Sequence, residues 1–299
     1  MKKSRSSGRA AWPLLLPTWL VLGVLFVVPL VLMLGVSFAE RGTYGGIQPV
    51  DDLGEHIRSG QFLANYARSL GAVYLGIGWR SLWMAVATTV LCLIVSFPIA
   101  YCLAILAPPR WKNLLLGLVV VPFCTSFLIR TYAWMFILRT EGLLNAVLLG
   151  SGLADQPLEL LYTQTAVMIG LLYGELPFMI LPLYASLEKL DRSLLEAASD
   201  LGAGSVQSFW RVTVPLSMPG ILAGSILVFI PSLGQFVVSD LLGGARSMLL
   251  GNLIQNQFAV ARNKPFGSAL AFELTAAVLL LLLGYALYAR RRGAEEDLL

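Results

Sequence analysis

Six long apolar stretches decide most of what this chain can become: Trp12–Phe38, Arg80–Leu106, Leu114–Leu138, Thr163–Leu187, Met218–Val238 and Ser268–Tyr288. Crossing about 30 Å of hydrocarbon takes about 20 apolar residues at about 1.5 Å per residue, and each stretch is long enough. The runs are unbroken rather than alternating, which selects helices over a β-barrel. Of 299 residues, 57% are hydrophobic and 13% charged, where an ordinary soluble domain carries about 25% charged. The mean hydropathy is +0.77. So few charges cannot coat a soluble globule, and disorder needs the opposite composition. The expected fold is all-α, a polytopic membrane protein with six transmembrane helices within residues 12–288.

The first stretch has a competing reading as a cleaved signal peptide. Met1–Ala10 is basic, and Ser37-Phe38-Ala39 weakly resembles a small-residue cleavage site. Its apolar run is about 27 residues, however, against about 7–15 in a signal core, so a retained span is expected.

Basic residues set the orientation. With the N-terminus inside, the cytoplasmic pieces 1–11, 107–113, 188–217 and 289–299 hold 12 Lys/Arg in 59 residues. The external pieces 39–79, 139–162 and 239–267 hold 7 in 94. Both termini are therefore expected in the cytoplasm, and 188–217 becomes an inner loop. The formal net charge of +4 is explained by topology, and a nucleic-acid partner is not required.

Groups for chemistry are scarce. The single histidine, His56, falls in the first external loop, which leaves no buried Ser/His dyad. Cys92, Cys102 and Cys124 lie in or beside apolar runs without a CxxC pair, so neither a disulfide framework nor a metal site is indicated. No G-x-x-x-x-G-K-[ST] occurs, so no P-loop nucleotide site is expected. An intramembrane enzyme is disfavoured. Gly170-x-x-x-Gly174 and Gly220-x-x-x-Gly224 are small-residue pairs that let helix backbones approach closely.

The inner loop carries the most specific pattern. Leu190, Leu194, Ala197, Ala198 and Leu201 recur near a 3.6-residue period. Ser193 and Glu196 fit a capping box, and Gly202 suits the left-handed position that ends a helix. A second short helix over about Ser205–Arg211 is expected to stop before Pro215. This helix–turn–helix is too short to span. It either lies among headgroups or docks on a cytoplasmic partner.

The spacing Glu196-Ala197-Ala198, three residues, Gly202, nine residues, then Val212-Thr213-Val214-Pro215 resembles the EAA signature of ABC importer permeases, with Val in place of Ile and Leu. Further strings resemble the same family: Phe97-Pro98-Ile99-Ala100-Tyr101, Thr125-Ser126-Phe127-Leu128-Ile129-Arg130-Thr131-Tyr132-Ala133-Trp134, Leu176-Pro177-Phe178-Met179-Ile180-Leu181-Pro182 and Val238-Ser239-Asp240-Leu241-Leu242-Gly243-Gly244. They are similar in particular to the first permease of spermidine/putrescine importers, over roughly residues 12–290.

The resemblance implies a type I permease in a bacterial inner membrane. It implies a homologous second permease, a dimeric cytoplasmic ABC ATPase that binds ATP and Mg, a periplasmic solute-binding protein and a polyamine substrate. This chain would hold no cofactor of its own, and Glu196, Ala197, Ala198, Leu201 and Gly202 would couple it to the ATPase. Relatives that carry amino-acid derivatives, phosphonates or opines are the alternative, and an ion-gradient-driven secondary transporter is a more distant one.

Ionisable groups inside a membrane are functional candidates by default. Asp240 falls at the outer mouth, with Glu273, Arg130 and Glu175 progressively deeper in the outer half. Three carboxylates against one guanidinium attract a polycation, and Tyr132, Trp134 and Tyr173 offer cation–π faces. Arg130 is the candidate for a structural ion pair with Glu175. Pro177 and Pro231 free the carbonyls of Tyr173 and Leu227 within their spans.

Overall fold

The computed structural model describes residues 16–43, 45–48, 61–244 and 247–296, with side chains as far as residue 287. The basic stretch 1–11, His56 and the side chains of the 289–299 tail lie outside the described residues. Along the chain come helix α1 (Leu16–Ser37), an antiparallel ribbon of β1 (Glu40–Arg41) and β2 (Ile47–Gln48), α2 (Ala64–Ser69) and α3 (Ala72–Leu106). Next are α4 (Pro109–Val120), α5 (Phe127–Leu138), α6 (Leu143–Gly150) and α7 (Gln164–Glu188). Then follow α8 (Arg192–Asp200), α9 (Ser205–Leu216), α10 (Met218–Gly234), α11 (Leu250–Ala259) and α12 (Lys264–Glu296).

Among the described residues, five helical segments are long and apolar enough to cross a membrane: α1, α3, α5 with α6, α7 and α12. A sixth is made by α9 with α10, bent by 66° at their junction. Five helical segments, or six with the bent pair counted as one, thus overlap the six apolar runs, the third only over its second half. Helix α3 begins at Ala72 instead of Arg80, because Gly76 and Gly78 dilute the hydropathy there without breaking the helix.

The stretch expected as one span over 114–138 is interrupted. Helix α4 gives way to a 3-10 turn at Val121–Cys124 with a proline in its first turn, and Thr125 and Ser126 are extended. Pro122 lacks an amide donor, and Thr125 Oγ1 donates to the Pro122 carbonyl at 2.7 Å. The expected halt before Pro215 does not occur either. The chain passes through a π-turn at Phe209–Thr213 and takes Pro215 into its last turn. The break comes at Ser217, followed by Pro219 in the first turn of α10. A first helical turn has no amide partner to lose, so Pro219 fits there.

The chain forms two compact units, Met1–Leu75 with Leu253–Leu299, and Gly76–Asn252. In the first, α1 and α12 pack together, yet only 6% of each apolar window is buried. Their remaining apolar surface is exposed. In the second, α3 and α7 are 39% and 44% buried over the same measure and form the centre. One core cluster gathers Phe97, Leu103, Met179, Leu183, Leu187 and Val228, and another gathers Met84, Leu138, Val167, Leu171, Val238 and Leu249.

Lipid tails are as apolar as leucine, so helix association depends on close packing. Helix α10 lies directly on α7 through Gly220 and Gly224. A Cβ on Gly220 would sit 2.6 Å from Ser186 Cβ and 2.7 Å from the Pro182 carbonyl, and one on Gly224 would sit 2.7 Å from Met179 Sδ. Gly170 is equally tight against Leu242 and Val238, whereas Gly174 has only Phe127 Cε2 at 3.7 Å. Of the two small-residue pairs, only the second is a helix crossing along its whole length.

Overpacking a filled interface costs about 1–3 kcal/mol. Gly220→Val is expected to lower the unfolding midpoint of the detergent-solubilised protein by several degrees, while Gly174→Ala leaves it unchanged. Equal shifts in a thermal-unfolding series would refute this account of the crossing.

Candidate functional site

Two places gather the functional candidates: the short hairpin α8–α9, and the polar and aromatic side chains set into the spans. The hairpin is built by local chemistry. Asp191, not Ser193, caps α8, accepting from the Ser193 amide at 3.0 Å. Its neighbour's amide holds the Asp191 carboxyl below its ordinary pKa. The expected capping box is therefore replaced by an aspartate two residues upstream of Ser193, in the stronger position for an N-cap acceptor.

At the other end Gly202 has φ +82°, a left-handed conformation that a β-carbon disfavours. The Gly202 amide donates to the Ser199 carbonyl at 2.9 Å and the Ala203 amide to Ala198 at 3.0 Å. That paired arrangement closes the helix and turns the chain into α9. Leu201 is 89% exposed, and Val206, Trp210 and Leu194 are exposed beside it in sequence. Glu196 is exposed and has no hydrogen-bond or ion-pair partner among the described residues. The hairpin thus presents an apolar surface beside the free carboxylate of Glu196.

The hairpin also touches a helix far from it in sequence. Arg192 Nη2 donates to the Ile105 carbonyl at 2.8 Å, across 87 residues. Phe209 packs edge-on against Phe97 and Tyr101 of α3, with ring centroids 5.2 and 6.4 Å apart. Lys112 donates to the Ala104 carbonyl at 2.8 Å and approaches Glu188 at 3.7 Å, and Glu188 accepts from the Tyr184 hydroxyl at 2.6 Å. None of these contacts was visible in the sequence, since each depends on which helices meet.

Within the spans of the second unit, Arg130 and Glu175 are not paired; no ion pair joins them. The Arg130 guanidinium instead lies 4.6 Å from the Phe123 ring centre and 5.8 Å from that of Phe127. Phe123 stacks on Tyr173 at 5.5 Å, and Trp134 meets Tyr173 edge-on at 5.5 Å. Trp134, Tyr173 and Arg130 therefore share one aromatic cluster, to which Phe123 and Phe127 belong as well. Aromatic residues three or four apart around Arg130 were the available signal for Phe127. Tyr132 lies outside the cluster and is exposed. The chain's own cation already sits on the aromatic face.

Buried polar atoms are normally paired, and the exceptions in this unit are concentrated on its central helices. Thr88 Oγ1, Ser96 Oγ, Glu175 Oε2, Ser232 Oγ, and Nε and Nη1 of Arg130 have no hydrogen-bond partner among the described residues. Glu175 is 5% exposed, which makes it the most enclosed of the carboxylate candidates. Asp240 is exposed in a π-turn at Ser239–Gly243 and accepts a hydrogen bond from Asn252 Nδ2. Asn252 also donates to the Phe236 carbonyl at 3.0 Å and accepts from the Leu249 amide at 3.2 Å. The Asp240 loop is fixed by that amide side chain. Glu273 belongs to the first unit, where it accepts from the Ser69 hydroxyl at 2.5 Å.

Three comparisons place this geometry among known proteins. Residues 96–292 match the family described as binding-protein-dependent transport system inner membrane component. The chain is 44% identical over 269 residues to the spermidine/putrescine transport system permease protein PotB of Haemophilus influenzae, covering 90% of this chain and 89% of that one. It is 45% identical over 267 residues to the PotB permease of Escherichia coli K12, covering 89% and 92%. The fold is similar to that of a chain in a bacterial alginate ABC transporter solved with its alginate pentasaccharide-bound periplasmic protein. The TM-score is 0.72 at 16% identity, with 97% of this chain and 98% of that chain covered.

A β-carbon in the left-handed region costs about 1–2 kcal/mol. Gly202→Ala is therefore expected to speed amide exchange at Gly202 and Ala203 by about tenfold in native-state exchange. The Asp191 cap contributes stability above the ordinary aspartate pKa of about 4 and loses it as pH falls through the lowered folded value. Exchange at the Ser193 amide, corrected for intrinsic rate, should accelerate only below about pH 4; acceleration at pH 6 would contradict the cap.

Proposed function

Since this chain belongs to the family of binding-protein-dependent transport system inner membrane components, an ABC importer permease whose nucleotide is bound by a separate ATPase, we propose that it forms the pathway for spermidine and putrescine together with a homologous second permease. The observation that carries the cargo is the 44–45% identity, across about nine-tenths of the chain, to permeases of spermidine/putrescine transport. A dimeric ATPase grips the hairpin from the cytoplasm, and a polyamine-loaded periplasmic binding protein docks from outside. Closure of the ATPase around ATP opens the pathway outward, and hydrolysis returns it inward.

The coupling role of Glu196, Ala197, Ala198, Leu201 and Gly202 is supported by the exposed apolar surface around Leu201 and by the unpartnered carboxylate of Glu196. A partner groove supplies what the free hairpin lacks, burial for Leu201 and a cation or amide donor for Glu196.

Asp240 and Glu175 attract the polycation along the route, Asp240 from its exposed turn and Glu175 from within the bundle. The orphaned hydroxyls of Thr88, Ser96 and Ser232 support a polar lining for that route. Trp134 and Tyr173 serve the substrate through their ring edges and the Tyr173 hydroxyl, because Arg130 holds the Phe123 face. Tyr132 and Glu273 remain members of the proposed route on their chemistry, a π-face and a carboxylate.

Reconstitution with the two partners and the binding protein tests this reading. Spermidine should stimulate ATP hydrolysis in the complete complex, and amino acids and phosphonates should not. Glu196→Arg should abolish that stimulation. Removing one attractive charge about 4 Å from an ammonium costs about 1 kcal/mol in water, so Asp240→Asn should lower uptake at subsaturating spermidine about fivefold. Undiminished uptake in Asp240→Asn and Glu175→Gln would discard the acidic route.

A further inference from the structure

The hairpin leaves the chain between α7 and α10, yet its side chains are fastened to α3. Two fastenings of different chemistry do this. Arg192, the first residue of α8, donates to the Ile105 carbonyl. Phe209, in the π-turn of α9, wedges against Phe97 and Tyr101. The receiving end of α3 is itself unusual. It finishes in a π-turn at Cys102–Leu106, and the last carbonyls of a helix have no partner of their own. Arg192 takes one and Lys112 takes the next, two cations at the negative end of the helix dipole.

The hairpin is consequently asymmetric. The N-terminal end of α8 is pinned by the Asp191 cap and by Arg192, while its C-terminal end, with Leu201 and Gly202, projects outward. A pinned end and a projecting end make a lever with its fulcrum on α3. A backbone carbonyl moves only with its helix, so displacement at Ile105 displaces the end of α3.

We propose that Arg192 and Phe209 are positioning residues that deliver motion of the hairpin to α3, the central span that carries the orphaned hydroxyls of Thr88 and Ser96. The proposal rests on the hairpin being the seat of the ATPase. It adds that α3, and not only the sequence-adjacent α7 and α10, is the helix being driven.

The test measures radiolabelled spermidine uptake and ATP hydrolysis together, in proteoliposomes holding the complete complex with its binding protein. Arg192→Gln and Phe209→Leu should keep stimulated hydrolysis within about twofold of wild type while uptake per ATP falls about three- to fivefold, the factor for losing one contact of ordinary hydrogen-bond strength. Arg192→Lys retains a donor and should stay near the wild-type ratio. An unchanged ratio in both variants and in their double mutant overturns the proposal. A parallel fall of hydrolysis and uptake also overturns it, because the contacts then only shape the hairpin for its partner.

Glu196→Arg separates the two levels. Lost hydrolysis there, with unchanged ratios in the other variants, fails transmission alone. Full hydrolysis in Glu196→Arg fails the docking reading and transmission with it.

Discussion

A backbone carbonyl in hydrocarbon has no water to accept from, and an unsatisfied one costs several kcal/mol. Several helix ends in the second unit show how that cost is met. Where the α4–α5 passage breaks, Thr125 donates to the Pro122 carbonyl. Where α5 passes to α6, Asn145 Nδ2 donates to the carbonyls of Arg139, Thr140 and Leu158 at 3.3, 3.0 and 2.9 Å, and its Oδ1 accepts from the Leu158 amide at 2.9 Å. Where α10 ends, Asn252 reaches the Phe236 carbonyl. Where α3 ends, Lys112 and Arg192 share the work. At each of these four ends a polar side chain takes up carbonyls that the helix leaves open.

Against that background, the unsatisfied atoms carry information. Thr88, Ser96, Glu175 and Ser232 lie on α3, α7 and α10, the two most buried spans of the unit and the helix that crosses α7 closely, and Arg130 lies on α5. Packing alone gives no reason to keep a carboxylate and three hydroxyls there, since threonine to valine and serine to alanine preserve shape and remove a desolvation cost. A pathway for an ammonium-bearing solute does give a reason. The Arg130 guanidinium already covers the Phe123 ring at 4.6 Å from its centre.

How much of this was legible in the sequence depended on the range of the interaction. Hydropathy over some 20 residues marked the spans, because each helix must hide its own backbone. Gly202 was legible since one residue type satisfies one dihedral angle. The cap was misplaced by two residues: Asp191-Arg192-Ser193 offers two acceptors at the right distance from the helix, and only the geometry chooses between them. The break at Val121–Ser126 was hidden because its residues are mostly as apolar as the helices around it, and Pro122 was outweighed by the hydropathy of the window. The pairing of Arg130 with Glu175 was a reasonable electrostatic guess that failed on direction, the guanidinium turning to aromatic rings contributed by its own α5 and the preceding 3-10 turn. Contacts such as Arg192 with Ile105 join positions 87 residues apart and have no local signature at all.

The arrangement of exposed apolar surface separates two kinds of partner. On α1 and α12 nearly the whole apolar window is exposed, as expected where the neighbour is lipid and any apolar side chain serves. On the hairpin the exposed apolar residues are few, and they sit in a segment rich in charge and serine, with Asp191, Arg192, Glu196, Asp200 and Arg211 among them. Lipid would solvate Leu201 but not those charges, whereas a protein groove with an apolar floor and a polar rim accommodates both. The same mixture that makes the hairpin too polar to enter the membrane makes it suited to a protein. Its ties to α3 through Arg192 and Phe209 distinguish it from a loose loop.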